Sequence, residues 1–223
     1  MSPMSICFRN IQIRIMKQIL LVSATRFEIQ PTLDFLKQYQ EKNIHVTVLI
    51  TGVGMLNTGF CLGQHLAKNQ YDLAIQAGIA GSFRREVPLG AVVQVVSEQY
   101  GDFGVEEADG SFTDMQTMGF IETNYLKNDY EIKNVPVAKG LTVQKVHGFQ
   151  PNIDKIIIKY NPDIETMEGI AFFQACLHHS LDFLALRGIS NYVESRNRAA
   201  WNIPLAIQNV NNLVIHHCKH RCT

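Results

Sequence analysis

Residues 182–201 carry the sharpest change of character in the chain. Asp-Phe-Leu-Ala-Leu-Arg-Gly-Ile is apolar almost throughout, and the polar run Ser-Asn-Tyr-Val-Glu-Ser-Arg-Asn-Arg follows at once from Ser190. A continuous apolar run of this kind marks a strand buried on both faces of a parallel sheet. Its polar end then falls on the carboxyl edge, where open α/β sheets bind ligands. Upstream, Thr166-Met167-Glu168-Gly169 opens an apolar segment through Leu177, which puts a carboxylate near the start of the helix leading into this strand. Glu168 and Asn191 can therefore share one pocket.

The rest of the chain repeats the alternation of strand and helix. Residues 18–24 predict a strand; Thr25-Arg26-Phe27-Glu28 leaves it, and Ile29, Leu33 and Leu36 follow at helical spacing, with Pro31 suited to a first turn. Residues 45–50 predict a second strand, broken by Thr51-Gly52-Val53-Gly54, after which Met55, Gly59, Leu62 and Leu66 mark one helix face. Residues 72–76 predict a third strand. Residues 77–82, Ala-Gly-Ile-Ala-Gly-Ser, predict a small-residue loop whose backbone, at Ala80 and Gly81 in particular, can approach a ligand. Strands are predicted over 89–96 and 140–146, a turn over 147–151, and a buried helix over 170–177. Ala206, Val210, Leu213, Val214 and His217 form one face of a closing helix with Pro204 in its first turn. Residues 98–135 are irregular, as segments covering a site or an interface are. The pattern predicts an α/β fold, a three-layer sandwich around a central mixed, mostly parallel twisted sheet. Residues 16–223 read as a single domain, and residues 1–15 as a disordered N-terminal extension, Met16-Lys17 being a more natural start.

Composition excludes several classes of partner. Lys and Arg total 20 and Asp and Glu total 20, so no net field draws nucleic acid or an anionic membrane, and a small ligand suits that balance better. No apolar run reaches the length of a membrane helix, and the first residues lack the apolar core of a secretory signal. Cys7, Cys61, Cys176, Cys218 and Cys222 are scattered and odd in number, without Cys-x-x-Cys spacing. Neither a disulfide framework nor a zinc knuckle is indicated, and a reducing, cytoplasmic compartment is expected.

Chemistry then has to come from residues where strands end. Of the two carboxylates, Glu28 and Glu168, one can activate water and the other can hold a diol through two charge-assisted hydrogen bonds. The Asn191 amide can grip a heterocycle edge with a donor and an acceptor. Each residue alone has a plainer reading: a carboxylate in a first helical turn complements the helix dipole, and an asparagine forms turns. Gly52-Val53-Gly54 begins a dinucleotide fingerprint, but its final glycine would fall at Asn57, so no nicotinamide cofactor is expected. His178-His179 and His216-His217 are adjacent pairs, which do not face one another on a helix, so no metal is expected either.

Together these stretches resemble the purine nucleoside phosphorylase and nucleosidase superfamily. The matching pieces are Ala24-Thr25-Arg26-Phe27-Glu28, Gly52-Val53-Gly54, Ala77-Gly78-Ile79-Ala80-Gly81, Thr166-Met167-Glu168-Gly169 and Arg187-Gly188-Ile189-Ser190-Asn191, in the family's order and covering about residue 16 to the end. Adenosine-type nucleosidases carry Ile-Ser-Asp at the last position, whereas Ile-Ser-Asn followed by Tyr-Val-Glu-Ser-Arg-Asn-Arg-Ala-Ala-Trp is similar to the futalosine hydrolases of the alternative menaquinone pathway. The resemblance implies hydrolysis of the N-glycosidic bond of futalosine, releasing hypoxanthine and a sugar that keeps its aryl carboxylate. It implies Glu28 as the water-activating carboxylate, Glu168 as the ribose-binding one, Met167 as an apolar wall beneath the sugar and Asn191 as the base-binding residue. It also implies a homo-oligomer, most simply a dimer. Phe83, Phe103, Phe120 and Phe149 become candidates for lining the base and aryl pockets, and Arg84 or Arg85 for facing the aryl carboxylate. A thioether adenosine nucleosidase, a purine nucleoside phosphorylase and a catalytically silent nucleoside-binding module of the same fold stay open as alternatives.

Overall fold

Short apolar runs separated by amphipathic segments pair here into one large mixed sheet whose faces the helices cover, and a small two-stranded hairpin stands apart from it. The computed structural model describes residues 16–39 and 43–220, so the extension expected at 1–15 lies outside them. In chain order the elements are β1 (Lys17–Ser23), α1 (Gln30–Gln38), β2 (Ile44–Ile50), α2 (Met55–Leu66), β3 (Leu73–Ser82) and β4 (Val92–Tyr100). Three short strands follow, β5 (Gly104–Glu106), β6 (Phe112–Asp114) and β7 (Tyr125–Lys127). The remainder is β8 (Val137–Thr142), α3 (Gln150–Tyr160), β9 (Ile164–Thr166), α4 (Gly169–His178), β10 (Phe183–Tyr192), a 3-10 turn (Arg198–Ala200) and α5 (Ile203–His220).

The strands run β2-β1-β3-β10-β4-β8-β9, and β9 returns to pair antiparallel with the end of β3, so one end of the sheet curls toward a barrel. β1–β2, β1–β3, β3–β10, β4–β8 and β8–β9 are parallel, whereas β10–β4 is antiparallel. This is the mixed, mostly parallel sheet the alternation predicts. Two apolar layers make the sandwich. On one face Leu62, Leu66, Phe172, Phe173 and Cys176 of α2 and α4 pack on alternate strand residues such as Leu20, Val22 and Ala185. On the other, Val210, Val214 and Cys218 of α5 and Ile29 before α1 meet Ile19, Leu21, Leu184 and Leu186. Successive side chains of a strand point to opposite faces, so continuously apolar strands are what two helical layers require.

Several boundaries differ from those the sequence predicts. Residues 77–82 are not a loop: β3 continues through Ser82, because β10 pairs with it as far as Tyr192 and β9 closes its other edge. β8 begins before the expected strand and ends at Thr142, freeing residues 143–148 to turn toward the site. Residues 150–160, expected to follow a simple turn, form α3. Pro151 sits in its first turn and Ile153 and Tyr160, two turns apart, are buried, but exposed Ile157 and Ile158 blur the apolar stripe. β9 is only three residues long and has no periodicity to read.

Candidate active site

The carboxyl ends of β1, β3 and β10 open on a cavity of about 400 Å³. Its lining includes Glu28, Ile79, Ala80, Gly81, Met167, Glu168 and Asn191, so six of the seven residues singled out from the sequence converge there. Phe149 does not. It precedes the first turn of α3 with its side chain 64 % exposed, and the apolar wall comes instead from Phe27, Val53, Val146, Met167 and Trp201. Phe83 packs against the Leu141–Tyr160 cluster, while Phe103 and Phe120 are exposed away from the cavity, so these aromatics are not its lining either.

The Glu28 carboxylate is fixed by hydrogen bonds at both oxygens. Its Oε2 accepts hydrogen bonds from the Thr25 amide at 3.1 Å and the Thr25 hydroxyl at 2.8 Å, and Oε1 accepts from the Ile79 amide at 3.2 Å. Gly78 is necessary for this approach, since a Cβ there would lie 2.9 Å from Glu28 Oε1. From the opposite layer, the Asn211 side-chain amide donates to the Glu28 carbonyl oxygen at 2.7 Å.

Glu168 precedes α4, and its Oε1 accepts from the Gly54 amide at 2.7 Å. Gly54 has φ +93°, a conformation that costs a side chain but not glycine. The glycine turn between β2 and α2 thus anchors a carboxylate as well as connecting strand to helix. Burial raises the Glu168 pKa; the Gly54 amide and Arg187 oppose the shift, and the charge of Glu28 adds to it. The two carboxylates therefore feel one another across the cavity.

Asn191 sits at a register irregularity of β10, opposite Gly81. Its Oδ1 accepts from the Ser190 hydroxyl at 2.8 Å and its Nδ2 donates to the Tyr192 carbonyl at 3.0 Å, which fixes the amide plane and leaves one N–H and one lone pair to spare. A Cβ at Gly81 would lie 3.0 Å from Asn191 Nδ2, so the glycine keeps the floor under the amide clear.

A second group of residues has no local sequence pattern to mark it. Glu165 of β9 accepts from the His147 amide at 3.0 Å and also contacts His147 Nδ1, and both residues line the cavity. Behind Glu168 lies a fully buried carboxyl, Glu98, bonded by the Thr142 hydroxyl at 2.8 Å and the Thr166 hydroxyl at 3.3 Å. Burial pushes its pKa up to about 7, with Arg187 and the two threonines opposing. Gly140 and Gly169 leave the space it fills, because a Cβ at either would collide with the carboxyl group. Only the glycines were visible as a local signal.

Neither Arg84 nor Arg85 lines the cavity, and each is already paired with a carboxylate. Arg84 bonds Asp163 at 2.9 Å and Asn161 at 2.7 Å, and Arg85 pairs with Glu194 while stacking 4.5 Å from the Tyr192 ring centroid. Among the described residues no group of three or more His, Cys, Asp or Glu is arranged to hold a metal ion, and no helix is long and apolar enough to cross a membrane.

The sequence profile of the phosphorylase superfamily matches residues 25–218, a span that contains every one of these site residues. The chain belongs to the phosphorylase superfamily. Within that superfamily it is 33 % identical over 144 residues to futalosine hydrolase from Streptomyces coelicolor, a match spanning 61 % of each chain. It is 27 % identical over 209 residues to futalosine hydrolase from Thermus thermophilus, covering 84 % of this chain and 89 % of the relative. Among solved structures, futalosine hydrolase of Helicobacter pylori shares the fold with a TM-score of 0.74 at 12 % identity, over 90 % of this chain and 98 % of the other. A 5′-methylthioadenosine/S-adenosylhomocysteine nucleosidase from Colwellia psychrerythraea, in complex with adenine, has a TM-score of 0.72 at 15 % identity, over 92 % and 95 %.

Proposed function

We propose that this phosphorylase-superfamily protein is a nucleosidase that hydrolyses the N-glycosidic bond of futalosine to hypoxanthine and dehypoxanthine futalosine, without phosphate, in menaquinone biosynthesis. The observation that carries the reading is the convergence of Glu28, Glu168 and Asn191 on one cavity; the likeness to futalosine hydrolases supports the substrate. Breaking the C1′–N9 bond leaves an oxocarbenium-like sugar, and negative charge spreads from the departing base onto O6 until the base takes up a proton from solvent and is released as hypoxanthine. Glu28 takes a proton from the attacking water as the water oxygen bonds to C1′. Glu168 accepts hydrogen bonds from the ribose hydroxyls and stabilises the developing positive charge, and Met167 walls the sugar. Asn191 donates its free N–H to the 6-oxo group, a contact an amide can make although it cannot serve as a general acid.

The proposal extends to a single domain from residue 16 onward, a cytoplasmic setting and a homodimer. Self-association is supported by exposed Leu56, Phe60 and Phe103, at 76 %, 64 % and 44 %, which lie along one groove beside α2 and α4. Sedimentation at micromolar concentration tests this part, and an active monomer overturns it. The enzymatic reading is tested by incubating the protein with futalosine, inosine and methylthioadenosine, with and without phosphate, and identifying the released base. Hypoxanthine from futalosine without phosphate is the expected result. Preferred release of adenine from methylthioadenosine, or a requirement for phosphate, refutes it.

A further inference from the structure

Four carboxylates, Glu28, Glu165, Glu168 and Glu194, line the cavity, and among the described residues lining it Arg196 is the one lysine or arginine. Arg196 is exposed, and its guanidinium carbon stands 5.4 Å from the ring centroid of Trp201, which also lines the cavity and is the chain's single tryptophan. The Arg198 guanidinium carbon stands 5.8 Å from the same ring centroid, but Arg198 does not line the cavity. Trp201 follows the 3-10 turn, and the amide of Asn202 beside it donates to the Ser190 carbonyl at 2.7 Å. That bond ties the indole to the strand end that bears Asn191. The Arg196 backbone is tied across the cavity, its amide donating to the Gly148 carbonyl at 3.4 Å. Indole and guanidinium are thus presented together, by backbone bonds, at the wall of a cavity otherwise rich in negative charge.

We propose that Trp201 and Arg196 form the subsite for a planar aromatic carboxylate carried by the nucleoside, which under the functional reading above is the aryl carboxylate of futalosine. The indole offers a flat apolar face for the aryl ring. The guanidinium offers two parallel N–H donors for the carboxylate, and stacking on the indole narrows the orientations it samples. Glu194 is already paired with Arg85, so Arg196 is the cavity-lining cation left to offset Glu28, Glu165 and Glu168 when an anionic substrate enters. The position of Arg196 also explains why Arg84 and Arg85 are not needed for this purpose, since each already has a carboxylate of its own. Arg196 binds a part of the substrate distant from the bond that breaks, so its contribution is to substrate affinity, not to the chemical step.

The inference rests on the futalosine reading and is tested so that the two fail separately. Futalosine, its carboxamide analogue and inosine are compared as substrates of the wild type, Arg196→Ala and Trp201→Leu, with circular dichroism as the control for folding. Arg196→Ala should lower kcat/KM for futalosine about 10- to 100-fold, chiefly through KM, and change it less than about threefold for the carboxamide and inosine. Trp201→Leu should weaken futalosine and the carboxamide alike and spare inosine. Equal losses on all three substrates with Arg196→Ala, or no loss on futalosine, overturn the subsite while leaving the nucleosidase intact. A wild type that cleaves none of the three overturns the functional reading beneath it.

Discussion

Asn211, on α5, donates its side-chain amide to the carbonyl oxygen of Glu28 at 2.7 Å while its Oδ1 accepts from the amide and hydroxyl of Thr32 at 3.1 and 2.6 Å. One buried side chain thus joins the last helix to the loop bearing the proposed base and to the first turn of α1. Asn211→Ala strands these groups in the interior and should cost about 2 to 4 kcal/mol, measured by urea unfolding. It should also reduce kcat by about tenfold or more, because small displacements of a positioned group are expensive in rate. Full kcat in a destabilised variant would show that Glu28 is held by Thr25 and Ile79 alone.

Glu28→Gln keeps the shape of the side chain and removes its capacity to take a proton from water. Turnover should fall about 10²- to 10⁴-fold, with substrate binding, measured by calorimetry, retained. Loss of binding together with turnover would instead mark Glu28 as a substrate anchor.

Asn191→Asp should reverse the preference at the purine edge. An ionised carboxylate confronts O6 with a second acceptor, whereas a carboxyl group suits N7 and an adenine amine. The ratio of kcat/KM for futalosine to that for its 6-amino analogue should fall by about five- to a hundredfold. An unchanged ratio would remove Asn191 from base recognition.

Glu98 gives the fold a pH dependence of definite sign. Its pKa is raised from 4.5 to about 7 in the folded protein, mainly by burial. Between those values the folded state retains a proton that the unfolded chain has released. Stability that is fully present below about pH 4.5 is therefore lost as pH rises through about 7, by roughly 3 kcal/mol. Glu98→Gln, which cannot ionise, should flatten the unfolding curve over that window. A wild-type stability that rises from pH 5 to 7 by the same margin as the variant's would contradict this assignment.

Local pattern was sufficient for β1, β2, α2, α4, β10 and α5, because burial of both faces of a sheet imposes continuous apolar strands and helix packing imposes a repeating stripe. It was also sufficient to single out Glu28, Glu168 and Asn191, the first and last just past an apolar run and Glu168 where one opens. The pattern was silent on α3 and β9, one with its stripe masked by exposed isoleucines and the other too short to show a period. It misplaced the end of β3 because alanine and glycine carry no strand signal of their own, and their pairing partners lie more than 80 residues away.

The spacing Glu28, Glu168, Asn191 is a property of the chain; the cavity is a property of the packed sheet. Asn211 reaches Glu28 across 183 residues, Gly54 reaches Glu168 across 114, and Glu98 reaches Thr142 across 44. Such contacts leave no periodic trace, because they depend on strand order and helix docking and not on neighbouring residues. For the same reason Phe149, two residues beyond cavity-lining His147 in sequence, turns to solvent at the start of α3, while Arg196 and Trp201, in the polar stretch after β10, line the site.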